Sequence, residues 1–158
     1  MEIRTGQGID FHMLIEERPL WLGGINIPSE KGCQAHSDGD VLIHAICDAL
    51  LGAAGLRDIG FHFPNTDNRF KDIDSKILLS KTIELISDKG FKLINIDSTV
   101  CLEEPKISVY IDEMRHCLAD ICKIDESCVS VKATTTEKMG FAGRGEGLMA
   151  IANVLLNR

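Results

Sequence analysis

Apolar positions recur along the chain with two periods, and the change from one to the other marks out the elements. From Val41 to Leu51 they are nearly continuous, with Val41, His44, Asp48 and Leu51 on one stripe and Leu42, Ala45, Ile46 and Ala49 on a more apolar face beside it. That spacing predicts a buried helix carrying His44 sideways near its start, with Ser37 or Asp38 capping its first amides. A second helix is expected after Asp74 or Ser75, with Ile77, Leu78, Ile83, Leu85 and Ile86 at helical spacing and Gly90 as its stop. Pro105 starts or precedes a third, which runs to about Cys122 with Val109, Met114, Leu118 and Ile121 among its apolar positions.

Period-two alternation predicts strands at Phe91 to Leu102 and Val129 to Thr134, with PLWLGGINIP as two short extended pieces bent at Gly23 and Gly24; the conformation of Glu2 to Phe11, which contains Gly6 and Gly8, is left open. Leu148 to Leu156 is apolar on both parities, which fits a strand buried on both faces or a helix; as a strand it suits an oligomer interface. Gly55 to Asp72 has little periodicity and reads as a long ordered loop, the kind of segment that often serves as a lid or binding loop. Helices flanked by strands predict an α+β sandwich, one mixed sheet with helices packed on one face.

Length and charge narrow the picture. A chain of 158 residues that is 44% hydrophobic suits a single domain spanning residues 1–158. A net charge of -7 and a pI near 5.2 argue against binding nucleic acid or an anionic membrane through bulk charge. An anionic substrate would therefore need metals, or a few placed Lys and Arg, to offset local repulsion. There is no leader-like start and no apolar run of roughly 18 residues, so a cytoplasmic location is expected. Cysteines 33, 47, 101, 117, 122 and 128 include no C-x-x-C pair and read as reduced packing residues.

Candidate chemistry gathers at three places. On an extended segment Asp10 and His12 project from one face about 6.6 Å apart, so an acid and an imidazole could share one metal ion, given a third ligand. The run His36-Ser37-Asp38-Gly39-Asp40 sets polar chemistry directly before the buried helix of His44. From Lys132 to Gly147, threonine hydroxyls leave a strand, Glu137 offers an oxygen to a hard cation, and Arg144 lies among glycines. This last segment fits neither the Walker A nor the dinucleotide-binding pattern, and its spacing leaves a glycine-rich turn and an anion site equally open.

Together the motifs are specific. G-x-G-x-D-x-H, H-S-D-G-D-V-x-x-H-A and K-A-T-T-T-E-K-x-G-F-x-G-R-G-E-G, in this order and spacing, resemble the 2-C-methyl-D-erythritol 2,4-cyclodiphosphate synthase family along essentially the whole chain. The resemblance implies a homotrimer with active sites between subunits, each with a zinc or similar divalent ion and a second cation, magnesium or manganese. It places zinc on Asp10, His12 and His44, magnesium on Glu137, and transition-state stabilisation on His36 and Thr135. Asp10, His12, His36, Ser37, Asp58, Ile59, Gly60, Phe63, Pro64, Asn65, Thr66 and Asp67 would meet the erythritol and phosphate groups. Leu102, Glu103, Glu104, Pro105, Lys106, Ile107 and Ser108, with Thr134, Thr135, Thr136 and Glu137, would receive the cytidine and diphosphate; Phe141 and Arg144 complete the set. Asp48, a turn beyond His44, suits either orienting that imidazole or a plain structural contact.

The implied substrate is 4-diphosphocytidyl-2-C-methyl-D-erythritol 2-phosphate, cyclised with loss of CMP. The chain departs from the family pattern at Asn65, where an aspartate is usual, and in the acidic run Glu103-Glu104. A zinc phosphohydrolase using the same ligands to activate water, and a non-enzymatic nucleotide- or metal-binding module, are the alternatives.

Overall fold

The computed structural model describes the whole chain, Met1–Arg158. In chain order its first half comprises β1 (Ile3–Glu16), β2 (Leu20–Leu22), β3 (Ile25–Ile27), β4 (Lys31–Gln34), α1 (Val41–Ala53) and α2 (Ile59–His62). The second half comprises α3 (Ser75–Asp88), β5 (Lys92–Cys101), α4 (Ile111–Cys122), β6 (Val129–Thr134), α5 (Gly140–Gly143) and β7 (Gly147–Asn157). Five strands form one sheet in the order β4-β1-β7-β5-β6, antiparallel throughout except for the parallel pair β5-β6. This is the mixed sheet of the expected α+β class. β2 and β3 form a separate hairpin turned at Gly23 and Gly24, both at positive φ.

The alternation along β1 divides the sheet into two unlike faces. Gly8 and Leu14 are buried, and Asp10 and His12 half-buried, on the side that meets α1; Ile3, Thr5, Gln7, Ile9, Phe11 and Met13 are exposed on the other. α1 lies across β1 and β7, α3 packs beside it, and α4 covers β6. The ambiguous stretch Leu148 to Leu156 is strand β7, with Leu148, Ala150, Ala152, Val154 and Leu156 under the helices and Met149, Ile151 and Leu155 half-buried on the open face. No helix is long and apolar enough to cross a membrane.

Two glycines set how near α1 comes to the sheet. A β-carbon on Gly8 would stand 2.0 Å from the carbonyl oxygen of Ala45, and one on Gly6 1.9 Å from that of Ala49. Glycine weakens a strand by its extra unfolded freedom, yet it is the residue that lets a helix backbone settle directly on a strand. The close approach brings His44 of α1 against Asp10 and His12 of β1.

The cap of α1 is Asp40, two residues beyond Asp38 and three beyond Ser37, the expected caps. Asp40 Oδ1 accepts from the amides of Ile43 (3.0 Å) and Gly23 (3.0 Å), and Oδ2 from Gly24 (2.7 Å). All three side chains could cap locally; what selects Asp40 is the distant β2-β3 turn, whose two amides need the same buried acceptor. Burial raises the Asp40 pKa, and the three amides pull the other way. In Asp40→Asn the amide group has one acceptor atom, so a donor is left unpaired. The expected loss is about 1–2 kcal/mol, read as a lowered urea midpoint; an unchanged midpoint would contradict the shared role.

Two other expectations are corrected by the fold. Gly55 to Asp72 contains the short helix α2 and a single 3₁₀ turn, Asn68–Phe70, because Asp58 and Asp67 each accept from amides two or three residues on. The third helix begins at Ile111, after a separate 3₁₀ turn at Ser108–Tyr110 that leaves Val109 76% exposed. Pro105 lies in the preceding loop, after a cis peptide bond to Glu104. All six cysteines are free, and burial pushes the Cys33 and Cys122 thiols up to about 12, in keeping with packing.

Candidate active site

Asp10 and His12, at i and i+2 on β1, face the first turn of α1, where His44 is 9% exposed. His12 Nε2 lies 3.0 Å from Asp10 Oδ2 and 3.1 Å from His44 Nδ1, and His44 Nδ1 is 3.1 Å from the same carboxylate oxygen. Three lone-pair atoms thus form a nearly equilateral triangle, a donor set suited to a divalent cation. Burial disfavours the Asp10 carboxylate, but its hydrogen bonds to His12 and His44 outweigh this and hold its pKa well below the usual range. For His44, burial opposes the charged form, and the bond to Asp10 reverses the balance and raises its pKa. Both shifts have one cause: the Asp10 carboxylate and the imidazole beside it stabilise each other's charged form.

Behind the triangle, His44 Nε2 meets Ser75 Oγ at 2.9 Å and Ser37 Oγ at 3.2 Å. Asp48 does not take the orienting role; its Oδ1 accepts from the Ile59 amide at 2.7 Å, tying α1 to the start of α2. In front lies a cavity of about 410 Å³ lined by His12, His36, Ser37, His44, Ile59, Gly60, Phe63 and Asn65, with Ala35, Phe70, Ile73 and Leu78. None of the last four was singled out by the sequence: Leu78 reads as a core position of its helix, Ile73 and Ala35 sit in stretches without pattern, and Phe70 shares only the general reading of Gly55 to Asp72 as a binding loop. Asp58, Pro64, Thr66 and Asp67 stand outside the cavity lining; Asp58 caps α2, and Asp67 pairs with Arg69.

The remaining candidate residues form a second patch. Leu102 N donates to Thr134 O (3.0 Å), and Glu103 Oε1 accepts from Thr136 N (3.2 Å) and Lys138 N (2.8 Å), so residues 102–108 and 134–138 are tied into one surface. Thr135 Oγ1 donates to Glu137 Oε1 at 3.2 Å, and the Glu137 backbone is held at φ 53° with its side chain exposed. Lys106 Nζ donates to Glu103 O (3.0 Å), while Ile107 is buried beneath the loop that leads to Ser108. Glu103, Glu104, Pro105 and Arg144 share a separate cavity of about 540 Å³ with Lys31, and Arg144 is paired with Glu146 at 2.8 Å. Phe141 packs on Phe11 at 5.9 Å. None of residues 102–108 or 134–137 lines the cavity of the triangle, so one chain carries the candidate residues as two separate patches.

Known proteins match the chain along nearly its whole length. The model of the YgbB family matches residues 3–157. The 2-C-methyl-D-erythritol 2,4-cyclodiphosphate synthase of Bacteroides fragilis is 58% identical over 158 residues, covering 100% of this chain and 99% of its own. That of Porphyromonas gingivalis is 54% identical, covering 97% and 94%. Among solved structures, bifunctional IspDF from Campylobacter jejuni has a TM-score of 0.95 at 47% identity, over 98% of this chain and 42% of that longer one. A 2C-methyl-D-erythritol-2,4-cyclodiphosphate synthase in a CDP-bound form has a TM-score of 0.90 at 36% identity, over 98% of this chain and 100% of its own. With nearly its whole length and its fold matched, the chain belongs to the YgbB family, together with these synthases.

Proposed function

We propose that this chain converts 4-diphosphocytidyl-2-C-methyl-D-erythritol 2-phosphate into 2-C-methyl-D-erythritol 2,4-cyclodiphosphate and CMP, a step of non-mevalonate isoprenoid biosynthesis. The observation that carries the reading is the convergence of Asp10, His12 and His44 beside a cavity large enough for a sugar phosphate. An oxygen of the 2-phosphate bonds to the β-phosphorus, and the bond from that phosphorus to the CMP oxygen breaks, so no protein nucleophile is required. What the residues must supply is alignment of two phosphates and neutralisation of their charge.

Zinc fits the triangle. Ligand atoms about 2.0–2.1 Å from a tetrahedral zinc stand about 3.3 Å apart, close to the edges of 3.0–3.1 Å found here. When bound, it supplies Lewis-acid stabilisation of phosphate oxygens through its open position. His36 and Ser37, in the cavity wall, would hold the 2-phosphate side, and Ile59, Gly60 and Phe63 would enclose the erythritol. Glu137 suits magnesium or manganese, since such ions are commonly held by one carboxylate and the substrate's own phosphates. Thr135, hydrogen-bonded to Glu137, would approach the diphosphate with residues 102–108 beneath the cytidine.

The separation of the two patches supports a homotrimer in which one subunit's triangle meets its neighbour's threonine loop. The open sheet face supports it too, since Ile9, Phe11 and Met13 are 45%, 53% and 60% exposed there. Such an enzyme would work in the cytoplasm as one catalytic domain. The test is CMP release: stripping metal with a chelator should abolish it, and zinc with magnesium should restore it. Failure to restore would count against the metal reading. Glu137→Gln is expected to lower turnover on the order of tenfold at limiting magnesium and less at saturation. An equal loss at every concentration would contradict a cation role for Glu137.

A further inference from the structure

We infer that Asp38 and Ser75 are positioning residues of the metal centre: a directed hydrogen-bond chain through them holds the proton of His44 on Nε2 and turns the Nδ1 lone pair toward Asp10 and His12. The inference rests on the zinc reading of the triangle. Its logic is a count of protons. As a carboxylate, Asp38 can only accept. Its Oδ1 takes the Asp40 amide (3.1 Å) and the Ser75 hydroxyl, and its Oδ2 takes the Ser75 amide (2.8 Å). The single hydroxyl proton of Ser75 is therefore committed to Asp38, and only lone pairs remain to face His44 Nε2 at 2.9 Å. Nε2 must be the donor.

Two further features agree. Ser75 is fully buried in the first turn of α3, but Asp74 already caps that helix through the Lys76 amide, so the Ser75 hydroxyl is free of capping duty. Ser37 Oγ accepts from the Gly39 amide (3.2 Å) and lies 3.2 Å from His44 Nε2. With Nε2 as donor, the Ser37 proton is left for the cavity that Ser37 lines, where an anionic substrate group can take it. Metal-bound imidazoles elsewhere are fixed by such outer partners, whose loss commonly weakens the metal 10- to 100-fold. The partners here come from the loop before α1 and from α3, 31 residues after His44. They make the ligand set depend on the packing of three separate segments.

The test uses the full chain. In long-range nitrogen–proton spectra of the zinc-loaded protein, His44 is expected to show an Nε2 proton protected from exchange. In chelator competition, Ser75→Ala and Asp38→Asn are expected to bind zinc about 10- to 100-fold more weakly, with circular dichroism matching the parent. Asp38→Asn is the sharper variant, because its amide can donate to Ser75 and reverse the chain. An Nε2 proton exchanging as fast as that of an exposed imidazole, or zinc affinity within twofold of the parent in folded variants, would overturn the inference. Should neither variant fold, the Nε2 resonance of the unaltered protein decides alone. If the folded parent binds no zinc, the reading of the triangle falls as well; tight zinc in parent and variants alike removes only the positioning role.

Discussion

Replacing His44 with alanine is expected to leave the chain folded, strip the zinc and lower turnover by at least about 10³-fold, a loss of roughly 4 kcal/mol of transition-state stabilisation. His44 supplies one corner of the ligand triangle and stands between the other two ligands and the hydroxyls of Ser37 and Ser75. Its removal leaves Asp10 and His12, a pair on one strand with too few donors for a tetrahedral site. The fold should survive because His44 borders the cavity, so water can reach the two hydroxyls it leaves. Metal content and initial rates measured together check this: retained activity with zinc absent would separate the chemistry from the triangle.

The second large effect is expected from a methyl group far smaller than any ligand. In Gly8→Ala the new β-carbon would meet the Ala45 carbonyl oxygen at 2.0 Å and the Ala49 amide nitrogen at 2.7 Å, both backbone atoms inside α1. Neither can swing aside as a side chain would, so α1 must lift from β1. Overpacking of ordinary core sites costs about 1–3 kcal/mol; a clash with helix backbone is expected at about 3 kcal/mol or more, as a lowered unfolding midpoint. Lifting α1 also draws His44 away from Asp10 and His12, so zinc affinity should fall in whatever remains folded. A variant of parental stability and affinity would contradict the claim that the two glycines assemble the site.

The order of helices and strands was legible because it depends on local periodicity, and β6 begins and ends at the expected residues, Val129 and Thr134. Asp10, His12 and His44 were legible as candidates because two of them share a strand face and the third heads a buried helix. The cap of α1 was not, since Ser37, Asp38 and Asp40 are equivalent until the β2-β3 turn is brought to them. Nor was the use of Gly6 and Gly8, which is a contact with a helix some forty residues on. Ser75 looked like a cap and serves His44 instead, which no local pattern encodes. Val109, expected among the positions of α4, lies in the 3₁₀ turn before it, because a 3₁₀ turn and an α-helix present the same apolar residues.

The acidic balance of the chain follows from the same chemistry. A net charge of -7 would repel a substrate carrying several phosphate charges unless cations gather at the site. Arg144 is already paired with Glu146, and the cavity of the triangle has no lysine or arginine in its wall. Under the proposed function, metal ions would then offset the substrate's charge in that cavity, beside its histidines.

Phosphorus NMR of the purified protein with the cytidyl substrate, zinc and magnesium tests the central claim most directly. CMP appearing together with the two coupled signals of a cyclic diphosphate is the predicted result. Inorganic phosphate or a linear diphosphate in their place would mean that water, rather than the substrate's own 2-phosphate, attacks, and would contradict the cyclisation.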